Sequence, residues 1–541
     1  MSENSNLNDS GFEFLASSPP SPNTSVRLDE FRKTGVDFAY KRLIGQETGG
    51  DIQFLLLCKK NAVHEWNKTF EKFTPSDIKP LDKRSECLQK WKNSTKHSVL
   101  VTNYEMFRVM CKSNGLKTML NACDVIILDD AFIIQNPNST ISKLIGEIKT
   151  QKRLCLCNGV IRNTLQDYFN LIKFILKKTT SENGVMTHRS LFTQAAVNLV
   201  NRGVLKDATS FQRAEMDHYC LELYEILQST VYRYNDTQME RTEIALFIAP
   251  KKQQIDIYEA VNQAAKKDLP VIAWYNFHKR LWLHPYLLVL NSHKPKNVKK
   301  PEVIKSVARY VFRQNPTLAD CKSNEFSGKM QFLVRIVKEC RIMGEKLLIF
   351  SDLNESLEFA RTTLITEFNC DEKEASQNYL VITSKTNISE RKHAQNLFNK
   401  DDKTRVLLLS TKMNSTGPGF PVGSRAVFLD QSWLLQTDRQ AEDRCYCFGQ
   451  MKPVFVYYLI AETGFELTNF RKNANRDAIN TSIQDGEEVE RKYSSAELNQ
   501  RFKAHLEATE GSTKANVNDD LLEKVLKGME NSGTKVKMTL M

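Results

Sequence analysis

No apolar run in this chain approaches the ~20 residues needed to cross a bilayer, and residues 1–25 have neither a charged start nor an apolar core. Membrane insertion and secretion are therefore not expected. Cysteine is sparse: 12 residues scattered over 541 do not make the dense framework of a small secreted domain, which argues for reduced thiols inside the cell, in nucleus or cytosol. Two Cys-x-Cys pairs, Cys155 with Cys157 and Cys445 with Cys447, lack the C-x2-C spacing common in zinc sites, so no metal is assigned and buried, unreactive thiols are expected. Acidic residues are the minority, 64 against 76 Lys and Arg, for a net charge of +12 and a pI near 9.0. That balance favours a polyanionic partner such as DNA.

A chain of this length is too long for one ordinary domain. Residues 1–25 are rich in Ser, Asn and Pro with few large apolar groups, and read as a disordered tail. From residue 26 to about 175, short apolar runs alternate with helical patterns: Phe54–Cys58, Ser98–Thr102, Asp124–Leu128 and Arg153–Cys157. Continuous apolar strands bounded by helices imply a parallel sheet covered on both faces. Residues 176–324 lack that alternation and read as a mostly helical insertion, with helical spacing over Tyr219–Val231 and a basic loop at His293–Lys300. Residues 325–509 form a second α/β unit with strands at Lys346–Ser351, Tyr379–Thr383, Arg405–Ser410 and Ala426–Asp430, and residues 510–541 read as a polar, flexible end.

Several stretches, in order, carry a resemblance. Gln440-Ala-Glu-Asp-Arg-Cys-Tyr-Cys-Phe-Gly-Gln450 is similar to the last motif of the Swi/Snf family of DNA-dependent ATPases, Gln-Ala-x-Asp-Arg-x-x-Arg-x-Gly-Gln. Phe31–Phe38 resembles the family's entry segment, Leu57–Trp66 with Phe70–Phe73 its Trp-x-x-Glu-Phe motif, and Val101-Thr-Asn-Tyr-Glu105 its Thr-x-Tyr-Glu turn. Asp124–Phe132 stands where the family has Asp-Glu-Gly/Ala-His, and Ser410–Gly417 where it has Ser-Thr-Lys/Arg-Ala-Gly-Gly-Leu-Gly. Leu281-Trp-Leu-His-Pro285, Phe448-Gly-Gln450 and Arg491–Leu498 look like the ATRX branch. The resemblance covers residues 26 to about 502 and implies two RecA-like parallel-sheet lobes of helicase type with a helical insertion between them.

The same resemblance exposes damage. A phosphate loop needs G-x-x-x-x-G-K-[ST], so that backbone N–H groups and a lysine surround the phosphates while a hydroxyl holds magnesium. That pattern is absent: the one Gly-Lys pair, Gly328-Lys329, precedes Met330, and Arg42–Gln53 runs straight into a strand without the ten or more residues a crossover takes. Asp129 could still hold a metal, but Asp130 replaces the glutamate, Phe132 the histidine, and Cys157, Asn158 and Val160 the threonines and proline of the third motif. Arg444 stands where the family needs its first arginine and Cys447 where it needs the second, a group worth roughly 10³–10⁵ in rate for phosphoryl transfer. Asp129, Asp130 and Arg444 are thus candidates for a vestigial catalytic set. Thr102, Asn103, Ser410, Thr411, Lys412 and Trp433 keep the hydroxyls, amides, cation and aromatic that the resemblance places along one DNA strand, which would give sequence-tolerant binding.

The expectation is a nuclear, DNA- or chromatin-associated pseudo-ATPase that binds or bridges duplex DNA, needs no cofactor, and recruits nuclear proteins the sequence does not specify. The alternatives are an active ATP- and magnesium-dependent translocase whose phosphate loop is missing from an incomplete gene model, and a protein-interaction scaffold without DNA binding.

Overall fold

A computed structural model describes residues 52–70, 91, 98–112, 121–157, 165–175, 193–232, 240–265, 271–290, 323–400, 406–413, 419–500, 503–513 and 517–541, apart from a few positions within these ranges. The tail 1–25, the entry segment 31–38, the stretch 42–51 and the basic loop 293–300 lie outside the described residues. The chain divides into two units, residues 1–197 with 222–235, and residues 198–221 with 236–541.

Among the described residues the first unit holds four parallel strands, β1 (Gln53–Cys58), β2 (Ser98–Asn103), β3 (Val125–Asp129) and β4 (Lys152–Leu156), in the order β2-β1-β3-β4, with helix α1 (Tyr104–Lys112) following β2 directly. Register explains why the runs are apolar throughout. Leu55 lies opposite Leu100 and Ile126, and with Leu57 and Leu128 it packs on one side against Phe107 and Trp91. Leu56, Cys58, Val99 and Val101 pack on the other. Both faces are covered, so alternation disappears. In α1 the buried residues Tyr104, Phe107 and Cys111 fall on one helical face.

The second unit contains β5 (Arg241–Ile248), α2 (Val271–Leu283), α3 (Gly328–Met343), β6 (Leu347–Ser351), β7 (Tyr379–Ile382), β8 (Val406–Ser410), β9 (Arg425–Phe428), α4 (Leu435–Glu442), β10 (Val454–Ala461), α5 (Gly464–Asp485), α6 (Asp520–Asn531) and β11 (Val536–Leu540). Its sheet runs β11-β5-β10-β9-β6-β8-β7, parallel except where β11 pairs antiparallel with β5. Along β6, Leu347 and Ile349 enter the core shared with α3, while Leu348 and Phe350 enter the core shared with Phe428 and Tyr458. The parallel-sheet fold class expected from the apolar runs is the one observed. Among the described residues no helix is long and apolar enough to cross a membrane.

Two boundaries differ from the sequence reading. The stretch read as a mostly helical insertion, 176–324, also holds a strand of the second unit, because Ile244–Ile248 lies in the sheet beside β10, with Ile244 opposite Tyr457. Helix α2 joins the same unit by packing Phe277, Leu281 and Trp282 with Ala461 of β10. Nor is 510–541 a flexible end: α6 buries Leu521, Leu522, Val525, Leu526 and Met529, and β11 places Val536 opposite Ile248. Apolar burial on this scale, roughly 1.5–3 kcal/mol per large side chain, outweighs the polar appearance of the segment.

Candidate functional site

Strand β3 ends in the two carboxylates of the expected catalytic set. Tyr104, at the start of α1, donates its hydroxyl to the Asp129 carbonyl at 2.6 Å, and the Trp66 indole donates to Asp129 Oδ2 at 2.9 Å. Burial raises the Asp129 carboxyl above its ordinary range, with the Trp66 hydrogen bond acting in the opposite direction. Asp130 is buried, takes a left-handed φ of 54°, and begins the short 3₁₀ turn Ala131–Ile134. A short polar side chain tolerates that backbone better than most. Its carboxylate forms an ion pair with Lys59, in the segment after β1. Phe132, where the family has histidine, is buried among Leu128, Ala131 and Ile134 and serves the core.

Magnesium demands near-octahedral oxygen coordination and is ordinarily shared between one or two carboxylates, waters and substrate phosphates. The donor set at the end of β3 fits that demand poorly, since one oxygen of Asp129 accepts from an indole and Asp130 is engaged by an ammonium. The stretch 42–51, where the sequence leaves no room for a phosphate loop, is outside the described residues, as are Asn158 and Val160 of the third motif. Among the described residues no group of three or more His, Cys, Asp or Glu side chains could hold a metal.

At the end of β2, Thr102 is buried and Asn103 caps α1, its Oδ1 accepting from Met106 N at 2.8 Å. The second expected DNA-contact segment is the turn after β8. Ser410 and Thr411 are buried, and Thr411 N donates to the Ser351 carbonyl at 3.0 Å. Lys412 is the exposed member, 59% accessible at its side chain, and its ammonium lies 3.2 Å from Asp352 Oδ1. The other Asp352 oxygen is 2.8 Å from Lys279 of α2, which also meets Asp430 Oδ1 at 2.8 Å. Asp430 accepts from Asp352 N at 3.1 Å and from the Ser351 hydroxyl. Burial alone would lower the Lys279 ammonium, but Asp430, Tyr275 and Asp352 carry it above its ordinary value. Burial likewise favours neutral Asp352, and Lys279 followed by Lys412 holds it below the usual carboxylate range. Trp433 meets Tyr275 edge to face at 5.7 Å, and the Tyr275 hydroxyl donates to the Gln431 carbonyl at 2.9 Å. One helix therefore organises the C-terminal ends of β6 and β9 and the aromatic loop that follows.

Arg444, the remaining arginine of the last motif, is buried, donating from Nη2 to the Met413 carbonyl at 3.0 Å. Burial first and the charge of Arg391 second push its guanidinium down to about 10. Cys447 packs on Gly419: a Cβ at 419 would stand 2.4 Å from its sulfur, so only glycine fits opposite this thiol. Gln450 is a structural clasp. Its amide donates to the Gly423 and Cys445 carbonyls at 2.9 and 3.0 Å, and its oxygen accepts from Met451 N and Lys452 N at 3.0 Å.

Sequence reasoning missed Lys279, Asp352, Lys329 and Glu466. Lys329 belongs to the sole Gly-Lys pair, and its ammonium is buried between the Leu429 carbonyl at 3.1 Å and Glu466 at 2.7 Å. Gly328 is required there because a Cβ would stand 2.6 Å from Ile248 of β5. These pairings join residues 73 to 151 positions apart, so no local spacing signals them.

The SNF2-related domain model matches residues 23–302, and the helicase conserved C-terminal domain model matches residues 328–449. The chain is similar to Protein CHROMATIN REMODELING 20 of Arabidopsis thaliana, 23% identical with 82% of this chain and 34% of that protein covered. It is similar to the transcriptional regulator ATRX homolog of Caenorhabditis elegans, 22% identical with 86% and 47% covered. A third relative is the ISWI chromatin-remodeling complex ATPase ISW2 of Saccharomyces cerevisiae, 24% identical with 79% and 35% covered. The chain thus spans between about a third and a half of these relatives' lengths. A solved structure, the Sulfolobus solfataricus SWI2/SNF2 ATPase core in complex with dsDNA, matches at 19% identity and a TM-score of 0.32, covering 87% of this chain and 90% of that one. With the SNF2-related model spanning more than half of its residues and the helicase C-terminal model following in order, the chain belongs to the Swi/Snf helicase-like family, with ATRX-like relatives and two RecA-like lobes.

Proposed function

We propose that this chain is a nuclear, chromatin-associated Swi/Snf protein that holds duplex DNA without coupling it to ATP hydrolysis. The observation that carries the reading is the state of the two carboxylates after β3: Asp129 accepts from the Trp66 indole and Asp130 pairs with Lys59. An ATPase of this class would aim both at a metal-bound nucleotide. Three further features support it: the sequence holds no G-x-x-x-x-G-K-[ST], Phe132 lies in the core, and Cys447 stands in place of an arginine. The DNA half of the reading rests on family membership, on relatives named for chromatin remodelling, on the net charge of +12, and on the exposed Lys412 beside Thr411.

Phosphate release from the purified chain, with and without duplex DNA, tests the catalytic half. No DNA-stimulated release is expected. Stimulated release that disappears in Asp129→Asn overturns the reading in favour of an active translocase.

A further inference from the structure

At the turn after β8 the residue best placed to meet a phosphate is already engaged. Lys412 is exposed, yet its ammonium is 3.2 Å from Asp352 Oδ1, and the Thr411 hydroxyl is 3.5 Å from the same oxygen. Asp352 cannot swing away freely. Its backbone N–H is held by Asp430 at 3.1 Å and its second oxygen by Lys279 at 2.8 Å, with both carboxylates and Lys279 buried. These four charged groups balance, two lysines against two aspartates, and of the four Lys412 is the exposed cation, with the fixed Asp352 carboxylate behind it.

We infer that Asp352 is a built-in competitor for phosphate, which holds Lys412 in an internal ion pair and thereby limits how tightly the sugar-phosphate backbone of duplex DNA is held at this turn. The inference rests on the DNA-binding reading above. A phosphate oxygen within reach of Lys412 lies close to the Asp352 carboxylate, and two like charges a few ångströms apart near a protein surface repel enough to change affinity by about tenfold. Phosphate must displace Asp352 from Lys412 or accept a weaker contact. Asparagine at 352 keeps an oxygen acceptor for Lys279, which retains Asp430, but removes the competing charge.

The experiment measures fluorescence anisotropy of labelled duplexes of unrelated sequence against full-length wild type, Asp352→Asn, Lys412→Ala and the double variant. Titrations run over a salt series, with a melting curve for each protein. Asp352→Asn is expected to bind about tenfold tighter at low salt, with a log-log salt slope steeper by about 0.9. That gain should vanish in the double variant, and Lys412→Ala should cost more in the Asp352→Asn background than in the wild type. If wild type binds and a folded Asp352→Asn gains nothing, the competitor role is overturned while the DNA reading stands. If neither wild type nor folded Asp352→Asn binds at low salt, the DNA reading falls and the inference with it. Should Asp352→Asn fail to fold, Lys412→Ala alone decides: loss of a full unit of slope from the wild type shows Lys412 was freely available and overturns the inference, whereas loss of a third of a unit or less supports it.

Discussion

Lys279 is 3% exposed, with its ammonium 2.8 Å from two carboxylates and 4.4 Å from the Tyr275 ring centroid. Removing it leaves Asp430 buried without this cation and Asp352 with Lys412 alone, and breaking a buried pair on one side costs about 3–5 kcal/mol. Lys279→Ala should therefore lower the unfolding free energy of the second unit by that amount, read in urea titration as a lower midpoint at unchanged slope. Asp438 of α4 makes a different prediction, through pH. Its Oδ2 accepts from Ser432 N at 2.9 Å, its Oδ1 is buried with no hydrogen-bond partner among the described residues, and burial pushes its carboxyl up to about 7. The neighbouring charges are Lys279, which opposes the rise, and Asp430, which adds to it. A folded value above the unfolded one means the folded state holds a proton between about pH 4 and 7 that the unfolded state has lost. Stability from this group is full below pH 4 and falls as pH rises to about 7. Asp438→Asn keeps the acceptor for Ser432 and removes the titration, so the variant should lose less stability than wild type between pH 5 and 8, by about 1–3 kcal/mol. Equal losses in both proteins would show that Asp438 does not titrate in that window.

At the scale of elements, the segment running from Asp519 through α6 and β11 is where the sequence misleads most. Asp519 caps α6 by accepting from Leu522 N at 3.2 Å, and it also engages Arg425 at 3.0 Å and the Tyr457 hydroxyl at 2.6 Å. Arg425, itself buried, pairs with Glu345 as well. The helix is thus attached by charge at its start and by Leu521, Leu522, Val525 and Met529 along its face. Asp519→Ala removes a cap worth about 1 kcal/mol and one partner of a buried guanidinium, and should cost about 3 kcal/mol in thermal or urea unfolding. Asp519→Asn, which can still cap, should cost distinctly less. The central strands of both sheets were legible because burial on both faces makes them continuous apolar runs, and the strands read at Phe54–Cys58 and Arg405–Ser410 shift by only one residue, to Gln53–Cys58 and Val406–Ser410. Strand β5 was equally apolar at Ile244–Ile248 but sits alone among helices, with both of its sheet partners distant in sequence. Strand β11, at the edge of the sheet as described, pairs with β5 and meets Ser512 in a single bridge, and it alternates, with Val536 and Met538 buried and Lys537 and Thr539 less so, so its five residues resemble a polar end. The candidate site divides in the same way. Asp129, Asp130 and Arg444 could be named from motifs, whereas the groups that occupy them, Trp66, Lys59 and the Met413 carbonyl, depend on folding.

For the molecule as a whole, the proposed function separates two ligands that an active family member would bind together. A ligand that binds only the native state at a hundred times its Kd adds about 2.7 kcal/mol, which a melting curve resolves. Magnesium-ATP should give no such shift here, because Asp129 and Asp130 are engaged by Trp66 and Lys59 and the sequence supplies no phosphate loop. Duplex DNA should raise the melting transition at low salt, since a chain with a net charge of +12 releases counterions from every phosphate it neutralises. The DNA shift should be the same for unrelated sequences, because phosphate contacts position a protein without reading bases. It should also disappear near half-molar salt, where screening shortens the reach of surface charge to a few ångströms. The two shifts are measured on the same protein, so a misfolded preparation would lose both rather than one. A magnesium-dependent shift with ATP would show that the carboxylates after β3 release Trp66 and Lys59 to take a metal, and would return the chain to the translocases. Absence of both shifts from a cooperatively melting protein would leave the interaction scaffold as the function.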